Sequence, residues 1–318
     1  PHPAFPASST SRGLGDVYKR QSLIGMLAAI ILFLTIGLNF GIDFRGGTTI
    51  RTDSKISVDV AKYRSVLSEL DLGDISITEV FDPTKPDQNV AQIRIEQQED
   101  EGSATVKTVE MVQKALRTID NQMTFPSIES VGPKVSGELI KTAIIAVVTA
   151  IFAVLFYIWL RFEWQFSVGA VAALVHDIVL TIGIFSILQI KFDLAIIAAL
   201  LTIVGYSLND TVVVFDRVRE NLRKYKKTEL KDVLNLSINE TLSRTVMTSV
   251  TTLLALISLF VLGGDVIRGF VFAMIWGVIV GTYSSVFIAS NILLRLGVKR
   301  DWSKPSAGAG TQFSGIDA

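Results

Sequence analysis

The chain has no cysteine, only two histidines, and no surplus of either charge, with 30 basic and 30 acidic residues among 318. The missing cysteine excludes a disulfide framework, a thiolate metal site and a cysteine nucleophile. One of the histidines is His2 in the N-terminal tail, so little is left for a histidine metal centre. Balanced charge lacks the basic excess of a nucleic-acid binder, and no nucleic-acid partner is expected. There is no phosphate-binding glycine loop, no nucleophile elbow and no zinc spacing, which argues against an ATPase and against an enzyme in general. What is abundant is apolar surface: 49% of the residues are hydrophobic, too many for an ordinary soluble domain.

A membrane helix needs about 20 mostly apolar residues to cross a hydrocarbon core of about 30 Å. The stretches 22–38, 142–160, 166–190, 194–215, 245–264 and 269–294 meet that requirement. The expected fold is therefore a polytopic α-helical membrane protein with six transmembrane helices. Lys and Arg are retained on the cytoplasmic side of short loops. Within the segment 217–243 between helices four and five, residues 217–231 hold Arg217, Arg219, Arg223, Lys224, Lys226, Lys227 and Lys231 against Glu220 and Glu229. Arg161 lies between helices two and three, and Arg295, Lys299, Arg300 and Lys304 follow helix six. This pattern predicts both termini in the cytoplasm and residues 41–138 outside it, with helix one over 22–40, the remaining helices over 139–295 and a cytoplasmic tail over 296–318. The basic segment also suits contact with anionic lipid or a partner, with Val218, Leu222 and Leu230 on one side of a surface helix. Residues 1–21, ending in "DVYKRQ", are poor in apolar residues and join abruptly to helix one. They are expected to be a non-native artefact of sequence assembly or a disordered cytoplasmic tail, and are set apart.

The outer segment alternates strands and helices. "GGTTIRT" is β-branched, "DISITEVF" and "VAQIRIEQ" alternate in polarity, and "FPSIESVGP" closes the set. Two amphipathic stripes lie between them: Val60, Tyr63, Val66, Leu67, Leu70, and Val106, Val109, Val112, Leu116, Ile119. Pro83 and Pro86 break the chain between the middle strands. The order βαββαβ is that of a small α+β ferredoxin-like domain.

Charges inside the apolar spans cost roughly 2.5–3.5 kcal/mol each on insertion scales, so they must be paired, neutralised or hydrated. Asp177 is eleven residues into helix three, about 16 Å along its axis. His176 precedes it, and successive helical side chains diverge by about 100°, so the two are not expected to form a simple dyad. Asp177 is either functional or an interhelical hydrogen-bond anchor. Asp210 lies seven residues before Arg217, about 10 Å inside the basic boundary. Asn209 adjoins it, and Thr202 and Tyr206 extend a polar stripe. A carboxylate balanced between desolvation and a nearby cation can load and release a proton; a permanent salt bridge that fixes packing is the other reading. Arg244, at the start of helix five, is the best candidate partner. It stays protonated, so it acts as a movable counter-charge or it snorkels to the interface. Thr245, Thr248, Ser249 and Thr252 follow it as a hydroxyl face. Helix six carries small residues at period four, Gly269, Ala273, Gly277, Gly281, Ser285 and Ala289, a ridge for close packing in the bundle or against a second subunit.

"GLNFGIDFRGGT", "LRFEW", "LVHDIVLT", "GYSLNDTVVVFDRVREN" and "ETLSRTVMTS", spread over residues 22 to about 300, resemble the SecD/SecF family of bacterial protein-export subunits within the RND-type superfamily. The small outer domain and the "ND…FDR" pattern are those of SecF-type members. The resemblance implies an inner-membrane protein that uses the proton motive force, with SecD, to drive later stages of polypeptide translocation through the SecYEG channel. It implies YajC and the unfolded preprotein as further partners, membrane lipid as surroundings, protons as coupling ion and no other cofactor. It places proton flow at Asp210 and Arg244, with Asn209 beside them, and makes six helices one half of a twelve-helix unit. An RND-type solute-transporter half and a non-conducting translocon scaffold are the competing readings. A hydrolase built on His176 and Asp177 lacks a nucleophile motif.

Overall fold

The computed structural model describes residues 11–70, 72–73, 75–80, 89–95 and 103–298. Pro83, Pro86, Lys299, Arg300 and Lys304 lie outside the described residues. The first helix, α1, runs Ser11–Thr35, so among the described residues the backbone is already helical ahead of Ser22. After it comes the short helix α2, Ile42–Arg45, ended by Gly46 at φ 74°. Gly47 follows at φ 120°. Two consecutive positive φ angles suit glycine alone among residues without strain, which explains the "GG" that opens the first strand.

The outer domain follows: β1 (Gly47–Ser54), α3 (Val60–Ser68), β2 (Ile75–Val80), β3 (Asn89–Ile95), α4 (Ser103–Leu116) and β4 (Thr124–Val131). The sheet order is β2-β3-β1-β4, and every neighbouring pair is antiparallel. Asp59 caps α3 by accepting from the amides of Ala61 and Lys62 at 3.0 and 3.1 Å, which satisfies two of the donors left open at a helix start. Ile50, Tyr63, Leu67, Ile93, Val112 and Leu116 form the core between sheet and helices. Each such side chain contributes about 1.5–3 kcal/mol by leaving water. Val106, expected on the inner stripe of α4, is 61% exposed: the stripe turns inward only from Val109 onward.

The remaining helices are α5 (Pro133–Arg161), α6 (Trp164–Leu188), α7 (Leu194–Lys224), α8 (Leu230–Leu262), α9 (Asp265–Ser284) and α10 (Ser290–Leu296), the last two joined by a π-helical turn, Ser285–Ala289. Among the described residues, five helical spans are long and apolar enough to cross a membrane: Val135–Arg161, Trp164–Leu188, Leu194–Lys224, Leu230–Leu262 and Ile267–Leu296. The apolar part of α1, Arg20–Thr35, is shorter. The basic segment is not the expected surface helix: it is helical at both ends, because α7 continues to Lys224 and α8 starts at Leu230. Its apolar residues explain this: Val218, Leu222, Val233 and Leu234 are buried together with Phe162, Phe166 and Phe215. Polar bonds close the same end. Arg217 Nε donates to Glu240 at 2.7 Å, and Asn221 Nδ2 donates to Glu240 at 2.6 Å.

The outer domain is tied to the membrane helices where α6 turns into α7. Arg94 on β3 donates to the carbonyl of Phe40 at 2.6 Å. Phe40 pairs with Phe192 in a parallel bridge, and the amide of Leu194, the first residue of α7, donates to Asp43 Oδ2 at 3.0 Å. Thus β3 and α2 are linked by hydrogen bonds and backbone pairing to the start of the helix that carries Asp210.

Candidate functional site

The small-residue ridge decides how α7 and α9 meet. A Cβ at Gly277 would overlap the Ile203 side chain, and one at Gly281 would stand 3.1 Å from Ser207 Cβ. Gly269 faces Ile196 at an ordinary contact distance, 3.5 Å from its Cδ1. The ridge therefore lies against α7 inside the bundle. Ala273 is fully buried in that contact layer. Across the π turn the ridge changes partner. A π turn admits one more residue than an α turn, and here the Ala289 carbonyl meets Gly169 of α6. Ser285, the first residue of the turn, is buried and donates back to the Thr282 carbonyl at 3.1 Å.

This close packing brings three helices onto Asp177. Its Oδ2 accepts from Ser207 of α7 at 2.7 Å and from Ser284 of α9 at 2.8 Å. Its Oδ1 is 3.1 Å from Nδ1 of His176. The divergence expected of neighbouring side chains does not separate this pair. Nδ1 is the ring nitrogen next to the Cβ attachment, so a modest tilt of both side chains closes the gap. His176 also stacks on Tyr283 with ring centroids 6.1 Å apart. Both His176 and Asp177 are 1% exposed. Ser207 and Ser284 were missed as site residues. Ser207 lies within "GYSLND" and Ser284 next to the ridge, but only the three-helix geometry shows that they share an acceptor.

Asp210 lies one helical turn beyond Ser207 on the buried face of α7 and is 3% exposed. Its Oδ2 has no hydrogen-bond partner, nor does Oγ1 of Thr245 on α8. Arg244 is the cation that acts on Asp210 electrostatically, yet among the described residues no ion pair within 4.0 Å joins them, and Arg244 is exposed on this chain. Asn209 is exposed as well, so the expected stripe divides: Thr202 and Asn209 point outward and Asp210 inward. Tyr206 lies between, 3.5 Å from Thr252 of α8 through its hydroxyl. Ser249 and Thr282 share a hydrogen bond of 2.7 Å that holds α8 to α9. Asp210 is thus a buried carboxyl with an open oxygen and a cation within electrostatic range that is not bonded to it. Such a group can exchange a proton without first breaking a salt bridge. Among the described residues no cluster of three or more His, Asp or Glu side chains gathers in a metal-binding arrangement.

The family model described as "Protein export membrane protein SecD/SecF, C-terminal" matches residues 111–299, and that of the "SecD/SecF GG Motif" matches residues 31–53. The second match contains Gly46 and Gly47, whose positive φ angles open β1. Protein translocase subunit SecF of Cereibacter sphaeroides is 63% identical over 93% of this chain and 92% of its own length. The protein of the same name from Rhodobacter capsulatus is 59% identical over 89% of this chain and 87% of its own. The crystal structure of SecDF, a translocon-associated membrane protein from Thermus thermophilus, is 34% identical with a TM-score of 0.79 over 93% of this chain. A super-membrane-facing form of SecDF gives a TM-score of 0.64 at 35% identity. The present chain spans about 40% of the length of those SecDF chains. By these matches the chain belongs to the SecD/SecF family of protein export membrane proteins.

Proposed function

We propose that the chain is the SecF-like half of a proton-driven export motor, working with SecD to pull polypeptide through SecYEG in the later stages of translocation. The observation that carries this is Asp210: buried among helices, with one carboxylate oxygen unpartnered, and acted on by an Arg244 that is not bonded to it. One charge crossing a potential of 100 mV releases about 2.3 kcal/mol. That energy biases a movement only if the proton is held differently in two states. Arg244, free to approach or leave Asp210, supplies that difference, and the exposed Asn209 offers a polar contact on the face open to a partner. The α7 helix then carries the change to the outer domain through the Asp43 contact at its start.

In this reading α1 is the sixth spanning helix, with both termini cytoplasmic and residues 41–138 on the periplasmic side of the bacterial inner membrane. The outer domain is ferredoxin-like, which its strand order β2-β3-β1-β4 supports. SecD supplies the matching half of the membrane unit, as the length of the SecDF chains suggests. YajC, the preprotein and membrane lipid are the remaining partners. The proton is the coupling ion, with no other cofactor and no enzymatic step. Asp210→Asn, at unchanged protein level and assembly with SecD, is expected to abolish both proton flux and gradient-dependent export in membrane vesicles. If both survive, the motor reading is wrong. Export preserved with flux lost would fit a solute-transporter half, and a chain required for export without any flux would fit a scaffold.

A further inference from the structure

The His176 imidazole has a second nitrogen, and that atom is unexplained by the contacts described so far. Nε2 is buried without a partner in the protein. His176 lines a groove of about 840 Å³ formed with α1, α5 and α10. Asn291 of α10 lines the same groove and has a buried Oδ1 that is also unpartnered. Both atoms are shielded behind the groove wall in this arrangement, and a small side-chain movement there lets water meet them, as buried polar groups without protein partners normally require. On its other side the ring touches Asp177, whose Oδ2 already accepts two hydroxyl protons.

We propose that His176 and Asp177 form a second proton-binding site, loaded from this groove and read out by Ser207 and Ser284. The proposal rests on the proton-coupled reading of the chain and adds to it a site separate from Asp210. With Asp177 as acceptor, Nδ1 of His176 carries the proton and Nε2 keeps its lone pair, reached from the groove when the wall side chains move. A hydrated proton binds Nε2 and leaves water behind. Nδ1 then passes its own proton to Asp177 Oδ1, so the imidazole is neutral again with its proton on Nε2. The carboxylate has become a neutral acid. One proton has moved inward and no other bond has changed.

The consequence falls on helix packing. Before the transfer, Ser207 and Ser284 donate to a charged acceptor, and afterwards to a neutral one. Charge-assisted hydrogen bonds are roughly twice as strong as neutral ones. Protonation therefore weakens the hold of α6 on α7 and α9 together. Ser207 stands one helical turn from Asp210 on α7, so the two proton sites act on one helix. The π turn begins immediately after Ser284, and α9 reaches Asp177 at the point where its regular ladder ends. The charged and titratable groups facing the pair are Tyr283 from α9 and, across the groove, Arg20 from α1 and Arg295 from α10. Ser22 of α1 is 2.9 Å from the Tyr283 hydroxyl, α5 lines the groove with Leu155, and α7 contributes Ser207. The two arginines disfavour a cation resting in the groove, so an arriving proton is held only where it is neutralised, on Asp177.

The test is infrared difference spectroscopy of the full chain in lipid vesicles during acid titration, with deuterium oxide as the probe. Asp177→Asn is expected to remove one protonated-carboxyl C=O band. His176→Asn keeps a donor near the position of Nδ1 but carries no exchangeable lone pair into the groove. Deuterium exchange of the Asp177 band is then expected to slow about a hundred-fold, the lower end of what a positioned proton donor contributes. Ala172→Phe fills the groove and leaves His176 intact; it is expected to slow the same exchange and serves if His176→Asn does not fold. Unchanged exchange in a folded His176→Asn, or a carboxyl spectrum unaltered by Asp177→Asn, overturns the proposal. Asp210→Asn separates this result from the motor reading. The Asp177 band is expected to exchange as in the unmodified chain there, whether or not flux is lost.

Discussion

Asp177 and Asp210 are buried to nearly the same degree, 1% and 3% exposed, on adjacent helices of the same bundle. Their surroundings are opposite. Asp177 has donors from three helices at 2.7 to 3.1 Å, whereas Asp210 keeps an oxygen without any. The difference teaches that burial alone does not identify the group that moves a proton across the bilayer. A satisfied carboxyl holds helices in register, and an unsatisfied one is available for a charge to come and go. The comparison also separates stability from function, because the two residues are expected to fail in different ways.

Replacing each by leucine should show the largest contrast. Asp177→Leu leaves the hydroxyl of Ser207 and Nδ1 of His176 without an acceptor, at about 1–3 kcal/mol for each buried group, and leaves Ser284 only the Gly281 carbonyl at 3.2 Å. The folded protein in detergent micelles should lose several kcal/mol against denaturant, or not accumulate. Asp210→Leu orphans nothing, so the folded protein should be as stable as the unmodified chain, or more so, while proton flux is lost. Equal loss of stability in the two variants would show that Asp210 has a bonding role that its open oxygen conceals.

The second contrast is between glycines on one helix pair. Gly277→Ala drives a methyl group into Ile203, and overpacking of this kind costs about 1–3 kcal/mol. It should also shift α9 relative to α7, lengthening the Ser207 and Ser284 bonds to Asp177. Gly205→Ala on α7 meets nothing within 4 Å and should add about 0.5–1 kcal/mol of helix stability. Unfolding midpoints in micelles that move in the same direction for both would show that the ridge is not where α7 and α9 fix their distance.

Much of this arrangement can be read from residues alone, and the part that cannot has a common cause. Apolar runs of sufficient length mark the helices, and a carboxyl inside such a run is conspicuous, so Asp177 and Asp210 stand out by local sequence. The order of strands and helices in the outer domain is legible for the same reason: polarity alternates with a period of two or of about three and a half. What is illegible depends on contacts between segments far apart in the chain. Ser207 and Ser284 are ordinary residues until α7 and α9 bring them to one oxygen. The ridge from Gly269 to Ala289 looks the same whether it faces α7, α6 or a second subunit. The turn of His176 toward Asp177 is a matter of side-chain torsion, about which helical spacing is silent. The basic segment reads as helical, but that it consists of two buried helix ends, at Lys224 and Leu230, hides behind a high density of lysine and arginine and is revealed only by the burial of Val218, Leu222, Val233 and Leu234.

A third carboxylate offers the mildest test of whether satisfaction or burial governs the comparison. Asp120, between α4 and β4 of the outer domain, is 8% exposed. It accepts from Ser54 Oγ at 2.6 Å and from the amides of Gln122 and Lys55 at 2.9 and 3.3 Å. These bonds favour the charged form, the Ser54 hydroxyl most of all, and hold the carboxyl below the usual aspartate range. Because the unfolded chain binds its proton more readily, Asp120 adds stability that is complete above the ordinary aspartate pKa. That contribution is lost as pH falls through the lower, folded value. Asp120→Asn should therefore make amide exchange near Lys55 and Gln122 faster at neutral pH, with the difference from the unmodified chain shrinking in acid. The effect should be the smallest of the three contrasts, since water shares the work of solvating this group. A difference that grows in acid would mean that the donors favour the protonated form, and the rule drawn from Asp177 would not extend beyond the membrane helices.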